Sequence, residues 1–482
     1  MLPRLLVAAA VMTALCSCSA KTSAVPEEQT RIEAALVAVV TFTGEEDDRP
    51  SLVERQAELG VPLTSVAIAK DWELHWATAY GDNGDENTRL QAASLSKTVA
   101  AAGLLTLAED LDVGLDDDLS ADLAPLELDQ LNPEGLPITL RGLLSHTNGT
   151  TVSGFPGYPV GSAVPTSRQI VSGEPPTNTD TVVVEPNPDG ERRYSGGGYQ
   201  VAQLWAETVT GEPFDDLMRR LVLDPVGMPN SSFTVRDPDS FGTDNVARAH
   251  NRDGTELTGG WHLYPEQAAA GLWTTPSDYA RFVLALMAAT EGRAERGVRA
   301  SVATEMIKPI ADNYGLGIGI QERQGQIRLI HSGLNRGFIC NFMAFPARGD
   351  VIVTMTNSAA GFPMVGDVNR TANVVYQWPS SPLIVKTRAP VTSEELEALT
   401  GDYTVAGNAD TAFTLVSNGE LLSGSTPGGF TFDLVKIGDD EFIDPRDGEV
   451  ATFDRREAGE LVLSSGGTDY VRVSRDDAAP AG

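Results

Sequence analysis

Cysteine is almost missing from this chain. Three residues, Cys16, Cys18 and Cys340, stand among 482, and two of them fall in an N-terminal segment that reads as a leader. Only Cys340 is left for the folded part, so no internal disulfide framework can form and stability has to come from the core. Positive charge is scarce as well: 35 lysines and arginines face 67 aspartates and glutamates, a formal charge of −32. Such a surface repels phosphate backbones and anionic membranes, which argues against a nucleic-acid partner; the plainer meaning is a solvated acidic face. The five histidines, His75, His146, His250, His262 and His331, include no closely spaced pair for zinc. No Gly-x-Ser-x-Gly elbow is present, and Gly196-Gly197-Gly198 lacks the Gly-Lys-Ser/Thr that completes a phosphate loop. No metal or nucleotide cofactor is therefore expected, and no internal repeat is visible.

What is present begins with an export signal. Arg4 supplies a short basic start and Leu5 to Leu15 an apolar run too short to span a bilayer. Leu15-Cys16-Ser17-Cys18 resembles the bacterial lipoprotein box, which makes Cys18 the candidate lipid anchor; the alternative is an ordinary secretory signal cut near Ala20. On either reading the protein is exported, and on the first it is periplasmic and held to the membrane by its N-terminal lipid alone. Residues 19–30, small and polar, read as a tether.

At this length one large domain and a smaller companion are expected, and a hydrophobic fraction of 41% suffices for a sizeable core. Leu63 to Lys70 and Trp72 to Tyr80 read as a hairpin about Lys70-Asp71. Helical patterns dominate from 94 to 290: Val201, Leu204, Trp205 and Val209 share a face, and Thr275-Pro276 opens another helix. Extended runs return at Ile327 to Ile330, Phe338 to Phe345 and Val351 to Thr356. Strands at both ends with helices between predict an α+β domain over 31–378, one antiparallel sheet of N- and C-terminal strands with helices packed on it. A Pro- and Ser-containing linker, 379–390, leads to a small all-β unit over 391–476, a barrel or sandwich with Asn418-Gly419 as a hairpin turn, and then a short tail, 477–482.

The chemistry begins at Ser94-Leu95-Ser96-Lys97. Of the six lysines only Lys97 has Ser three residues before it, a spacing weak by itself. The Ala- and Leu-rich run Val99 to Ala108 puts Ser94 at or near a helix start with Lys97 one turn on. The free amide of Ser94 can then serve an oxyanion, the helix dipole and a partly dry cleft disfavour charge on Lys97, and Lys97 lies within reach of the serine hydroxyl. Ser96 is read as a structural hydroxyl. Tyr194-Ser195-Gly196 lies in a loop at a helix start, from which Tyr194 can reach a cleft or simply pack. His331-Ser332-Gly333 ends the strand Ile327 to Ile330, where Ser and Gly let substrate approach the backbone and Leu334 offers a second amide; His331 taken alone reads as a strand-end surface histidine.

These three elements, in this order, together with Leu143-Leu-Ser-His-Thr-Asn-Gly149 and Ala270-Gly-Leu-Trp-Thr-Thr-Pro-Ser-Asp278, resemble the class C β-lactamase-like family from about residue 35 to about 378. That family also includes D,D-peptidases, D-amino-acid peptidases and esterases. The resemblance implies that Ser94 is acylated, that Lys97 and Tyr194 share the general-base role, and that His331 stands where many members have lysine, with Ser332, Gly333 and Leu334 beside it on the substrate and oxyanion side. His146 is read as structural. Gly196 replaces the usual asparagine, which weakens β-lactamase and D,D-peptidase activity as expectations and favours simple esters; an esterase or D-amino-acid peptidase acting on a small-molecule ester, amide or peptide is expected over a dedicated β-lactamase. The C-terminal unit resembles the lipocalin-like barrels appended to some members. The competing expectation is a receptor of the same fold that binds cell-wall fragments, or is acylated by penicillins, without turnover.

Overall fold

Runs of β-branched and aromatic residues at both ends of the large domain meet in one sheet. The computed structural model describes residues 25–44, 49–81, 84–235, 245–293, 297–380, 382–405, 408–427, 431–456 and 460–473; the leader with Cys18 and the tail 477–482 lie outside them. The strands are β1 (Leu63–Lys70), β2 (Glu73–Gly81), β3 (Gly319–Arg323), β4 (Gln326–Asn335), β5 (Phe338–Phe345) and β6 (Asp350–Thr356). Their order is β2-β1-β6-β5-β4-β3, antiparallel throughout. The α+β expectation is met. The β1–β2 turn is Asp71-Trp72, both left-handed at φ 52° and 74°, as a tight hairpin requires. Trp72 thus leaves the strand in which the sequence placed it.

β5 and β6 are buried along their whole length because both sheet faces are covered. The helices of eight residues or more are α1 (Glu27–Ala34), α2 (Leu52–Leu59), α3 (Ser96–Asp110), α4 (Gly196–Thr210), α5 (Pro276–Thr290) and α6 (Phe362–Val375). Alternation along the strands sorts the contacts. Ala67, Phe342, Ala344, Val351 and Val353 join one apolar cluster with α3, α4 and α5. Val66, Ile68, Met343, Phe345 and Ile352 join another with α1, α2 and α6. Truncating a fully buried member such as Phe342 to Ala costs about 3–5 kcal/mol.

Local signals start and stop these helices. Thr275 caps α5, accepting from the Asp278 amide at 3.2 Å with Pro276 in the first turn. Ser195 caps α4 by accepting from the Gly198 amide at 2.9 Å, and Gly211 closes it at φ 69°. α1 opens at Glu27 with two acidic residues in its first turn, so the tether expected over 19–30 gives way to helix before its end.

The C-terminal unit is a closed eight-stranded barrel, Gly401–Val405 through Thr468–Arg472, each strand pairing with the next and the last with the first. Closure leaves no open sheet edge. Its interior is filled by Tyr403, Phe413, Phe442, Phe453 and aliphatic neighbours. The segment expected to be a bare linker carries a strand, Ile384–Lys386, parallel to Val40–Phe42, a short N-terminal strand the sequence reading missed. Three residues are too few to show a period. Val40 and Ile384 pack on Val435 and Ile443, which seats the barrel on the larger domain.

Candidate active site

The turn that carries Ser94 is held from three sides. Leu90–Gln91 pairs with Trp273–Thr274, the Ala92 amide donates to Leu272 O at 2.8 Å, and Cys340 Sγ donates to Ala92 O at 3.0 Å. Ala93 is left-handed at φ 47°, a conformation costing an L-residue about 1 kcal/mol. Ser94 therefore sits in a 3-10 turn, Ala93–Leu95, with α3 beginning at Ser96. The expected helix start is confirmed to within two residues.

Lys97 lies one turn on, 2% exposed, its Nζ 3.1 Å from Ser94 Oγ and 2.7 Å from Ala269 O. The same Nζ lies 5.1 Å from the centre of the Tyr194 ring, so the structure brings Ser94, Lys97 and Tyr194 together. Ser96 accepts from the Leu272 amide at 2.9 Å, the structural role assigned to it. Gly317, at φ 75°, lets the chain pass against α3, where a Cβ would lie 2.8 Å from Lys97 O.

Tyr194 is set by its neighbours. His146, in the left-handed residue that ends the helix Leu140–Ser145, accepts the Ser195 amide on Nδ1 at 3.1 Å and packs its ring 4.4 Å from that of Tyr194. Burial first, then the positive charge of Lys97, holds His146 well below the usual histidine range. At the motif's third residue a Cβ on Gly196 would meet the half-buried Phe155 ring at 2.8 Å, so the family's asparagine would require that ring to move.

β4 differs from the expectation. The sequence reading ends the strand at Ile330, whereas the ladder to β5 runs on through Asn335. Pairing supplies what serine and glycine lack in propensity. β3 accompanies β4 only as far as Ile330, so beyond it, among the described residues, the outer edge of β4 has no strand partner and passes the Ser94 turn. A Cβ on Gly333 would lie 2.9 Å from the Ser94 amide, 2.7 Å from Ala92 O and 2.6 Å from Cys340 Sγ. Close approach of two backbones is what demands glycine here.

His331 does not line the cavity. Its side chain is buried, Nδ1 lies 2.8 Å from Ser332 O and Nε2 3.0 Å from the Tyr314 hydroxyl. A carbonyl only accepts, so Nδ1 carries the proton and Nε2 takes one from Tyr314. Burial, then Lys97, pushes its pKa down to about 3, and the ring is neutral. The carry-over to the substrate side thus becomes a supporting position behind Tyr194, the two rings 6.5 Å apart. Ser332, Gly333 and Leu334 do line the cavity.

That cavity, about 800 Å³, opens from Ser94 and Tyr194 across β4 and β5 to α6. A polar chain that sequence reasoning missed crosses its floor: Thr354 donates to Asn369 (2.7 Å), Asn369 to Asn341 (2.7 Å), and Asn341 to Ser332 Oγ (2.9 Å). Isolated asparagines in apolar strands and helices were the available signal. Among the described residues no group of three or more His, Cys, Asp or Glu is placed to hold a metal.

An α+β domain with these strands and helices, and a Ser-x-x-Lys at the first turn of its central helix, has the fold of the β-lactamases and penicillin-binding proteins. The family model described as Beta-lactamase matches residues 49–376, and the chain belongs to that family. Protein Rv1367c of Mycobacterium tuberculosis (strain ATCC 25618 / H37Rv) is 24% identical over 223 residues, 42% of this chain and 54% of that protein. The chain spans about half the length of the curated relatives it matches. Among solved structures, the octameric penicillin-binding protein homologue from Pyrococcus abyssi superimposes with a TM-score of 0.56 at 18% identity, over 87% of this chain and 98% of that one. The D-amino acid amidase from Ochrobactrum anthropi SV3, complexed with L-phenylalanine, gives 0.55 at 19%, over 73% and 98%. At these identities the likeness is one of fold.

Proposed function

We propose that this protein is a serine acyl-transfer hydrolase of small esters or amides, working through an acyl-enzyme on Ser94. The observation that carries the reading is the buried Lys97 Nζ 3.1 Å from Ser94 Oγ at the head of the cavity. The Ser94 proton passes to Lys97 or Tyr194 as Oγ attacks the carbonyl; the same groups return a proton to the leaving alcohol or amine, and water then releases the acid. The amides of Ser94 and Leu334 serve the oxyanion, and the open edge of β4 takes the substrate's polar backbone. The closed space at Gly196 supports esters and D-amino-acid amides over a dedicated β-lactamase. The amidase and penicillin-binding relatives support the same reaction class.

Intact-mass spectrometry after a fluorophosphonate quench tests this: one adduct is expected, on the Ser94 peptide, with multiple turnovers of a chromogenic short-chain ester. Stoichiometric labelling by a fluorescent penicillin with no turnover of any ester or amide would instead make the protein a receptor. Tyr194→Phe, which removes only the hydroxyl, is expected to lower ester turnover on the order of a hundredfold; a loss under about threefold returns Tyr194 to packing. We also infer export and lipid anchoring at Cys18, on the strength of the apolar run and the Leu15–Cys18 pattern. Cys18→Ser should move the protein from the membrane to the soluble fraction with activity intact.

A further inference from the structure

The cavity that opens at Ser94 does not end there. Because side chains two apart on a strand share a face, Arg328, Ile330, Ser332 and Leu334 of β4 stand beside Ile339, Asn341 and Met343 of β5. Facing them across a trough are Val365, Gly366 and Val374 of α6, and Leu383 and Ile384 of the segment that pairs with Val40–Phe42. Leu334 and Phe362 at its border are each 71% exposed. A trough of this size and lining suits a ligand's apolar part. The wall formed by α6 and the 383–384 segment belongs to elements the proposed reaction does not use, while β4 serves both the reaction and the trough.

One end of the trough is charged. Arg328 donates through Nη2 to Gln321 Oε1 at 2.5 Å and touches Met343 Sδ at 3.6 Å, while among the described residues its buried Nε meets no partner. Among the described residues it makes no ion pair, and both burial and neighbouring Arg323 oppose its charge. The other cation on the trough, Arg370, is satisfied by Asp367 and Val37 O, each at 2.9 Å. Asp447 of the barrel borders the wall formed by Val39 and Ile384. Arg328 is therefore the cation left to be met from outside. Ser332 lies four positions on from it along β4, roughly 13 Å away, about the reach of a ten-carbon chain.

We propose that the trough is a subsite for a long unbranched apolar chain ending in a carboxylate, carried by the substrate whose carbonyl Ser94 attacks, with the carboxylate taken by Arg328. The inference rests on the reading of Ser94 as nucleophile for its place in a reaction, but the subsite itself can be tested by binding alone. Ser94→Ala protein is titrated calorimetrically with 1,12-dodecanedioate, 1,12-dodecanediol, 1,12-diaminododecane and butanedioate. Dodecanedioate is expected to bind at least tenfold more tightly than the diol, and butanedioate not measurably. Arg328→Ala should remove the preference for the diacid and Arg328→Lys restore most of it, with thermal unfolding of each variant reporting the fold. Gly366→Trp, whose new side chain enters the trough from α6, should weaken diacid and diol alike. Equal binding of diacid and diol, tighter binding of the diamine, or an unchanged diacid preference in Arg328→Ala each overturns the proposal. Diacid binding as expected, together with no acyl-enzyme in the wild type, would overturn the hydrolase reading and leave the subsite standing.

Discussion

On the inner face of β4, Gly333 lies against the Ser94 turn and His331 is buried behind Tyr194 with partners for both ring nitrogens; on the other face, Arg328, Ile330, Ser332 and Leu334 border open space, and among the described residues Arg328 has a donor to spare. Ten residues thus build two unlike walls. Strand alternation permits this, since neighbours in sequence point apart and can be packed to different densities. On the proposed function, rigidity suits the side that must hold a hydroxyl and its base in register, and room suits the side that would receive a substrate.

The sharpest way to break the contrast is at Ser94, the proposed nucleophile. Ser94→Ala should fold normally and lose ester turnover by about three to six orders of magnitude, with Lys97→Ala nearly as damaging, because members of one catalytic unit do not substitute for one another. Full activity in either variant ends the assignment of chemistry to this side. Next in size is Gly333→Ala. Its Cβ must displace the Ser94 amide, Ala92 O or Cys340 Sγ, so a fall of at least about tenfold in kcat is expected, from loss of positioning of the kind that orientation effects describe. Ser332→Ala, one residue away on the outer face, provides the comparison; if it damages kcat more than Gly333→Ala, the two walls are not distinct.

Two smaller effects address stability. Asn369→Ala leaves Asn341 and Thr354 without their partner across the sheet, and equilibrium unfolding should show a loss of about 1–3 kcal/mol. A change below about 0.3 kcal/mol would mean the polar chain is incidental. His331 supplies the pH test. Its native pKa of about 3 lies below the unfolded value near 6.5, so between those limits the unfolded chain binds the extra proton. Stability therefore rises with pH in that window and is lost as pH falls from about 6.5 toward 3, by at most about 1.4 kcal/mol per unit from this group. His331→Gln should flatten that part of the profile measured by denaturant titration; parallel curves for variant and wild type would remove His331 as its source.

The parts legible in the sequence were those with a strong local signal. The runs Phe338 to Phe345 and Val351 to Thr356 became β5 and β6 almost residue for residue, and Thr275-Pro276 and Thr210-Gly211 marked real helix ends. Barrel strands such as Gly401–Val405 and Glu441–Ile443 went unread, since their short, mixed runs gain partners only from pairing. Val40–Phe42 and Ile384–Lys386 illustrate the same limit, being three residues each and stabilised by one another from opposite ends of the domain.

The sequence by itself determined the sheet-and-helix class, the order of the three motifs and the i, i+3 spacing that sets Lys97 against Ser94, because these depend on residues within a turn or two of one another. Only the tertiary structure decided that His331 stands behind Tyr194 with its proton on Nδ1, that Phe155 fills the space beside Gly196, and that Arg328 faces a trough instead of an acid. Each of these is a contact between segments far apart in the chain, made on a chosen face of a strand or helix. Side-chain direction is periodic and local, but what lies opposite is settled by packing, which no local pattern encodes.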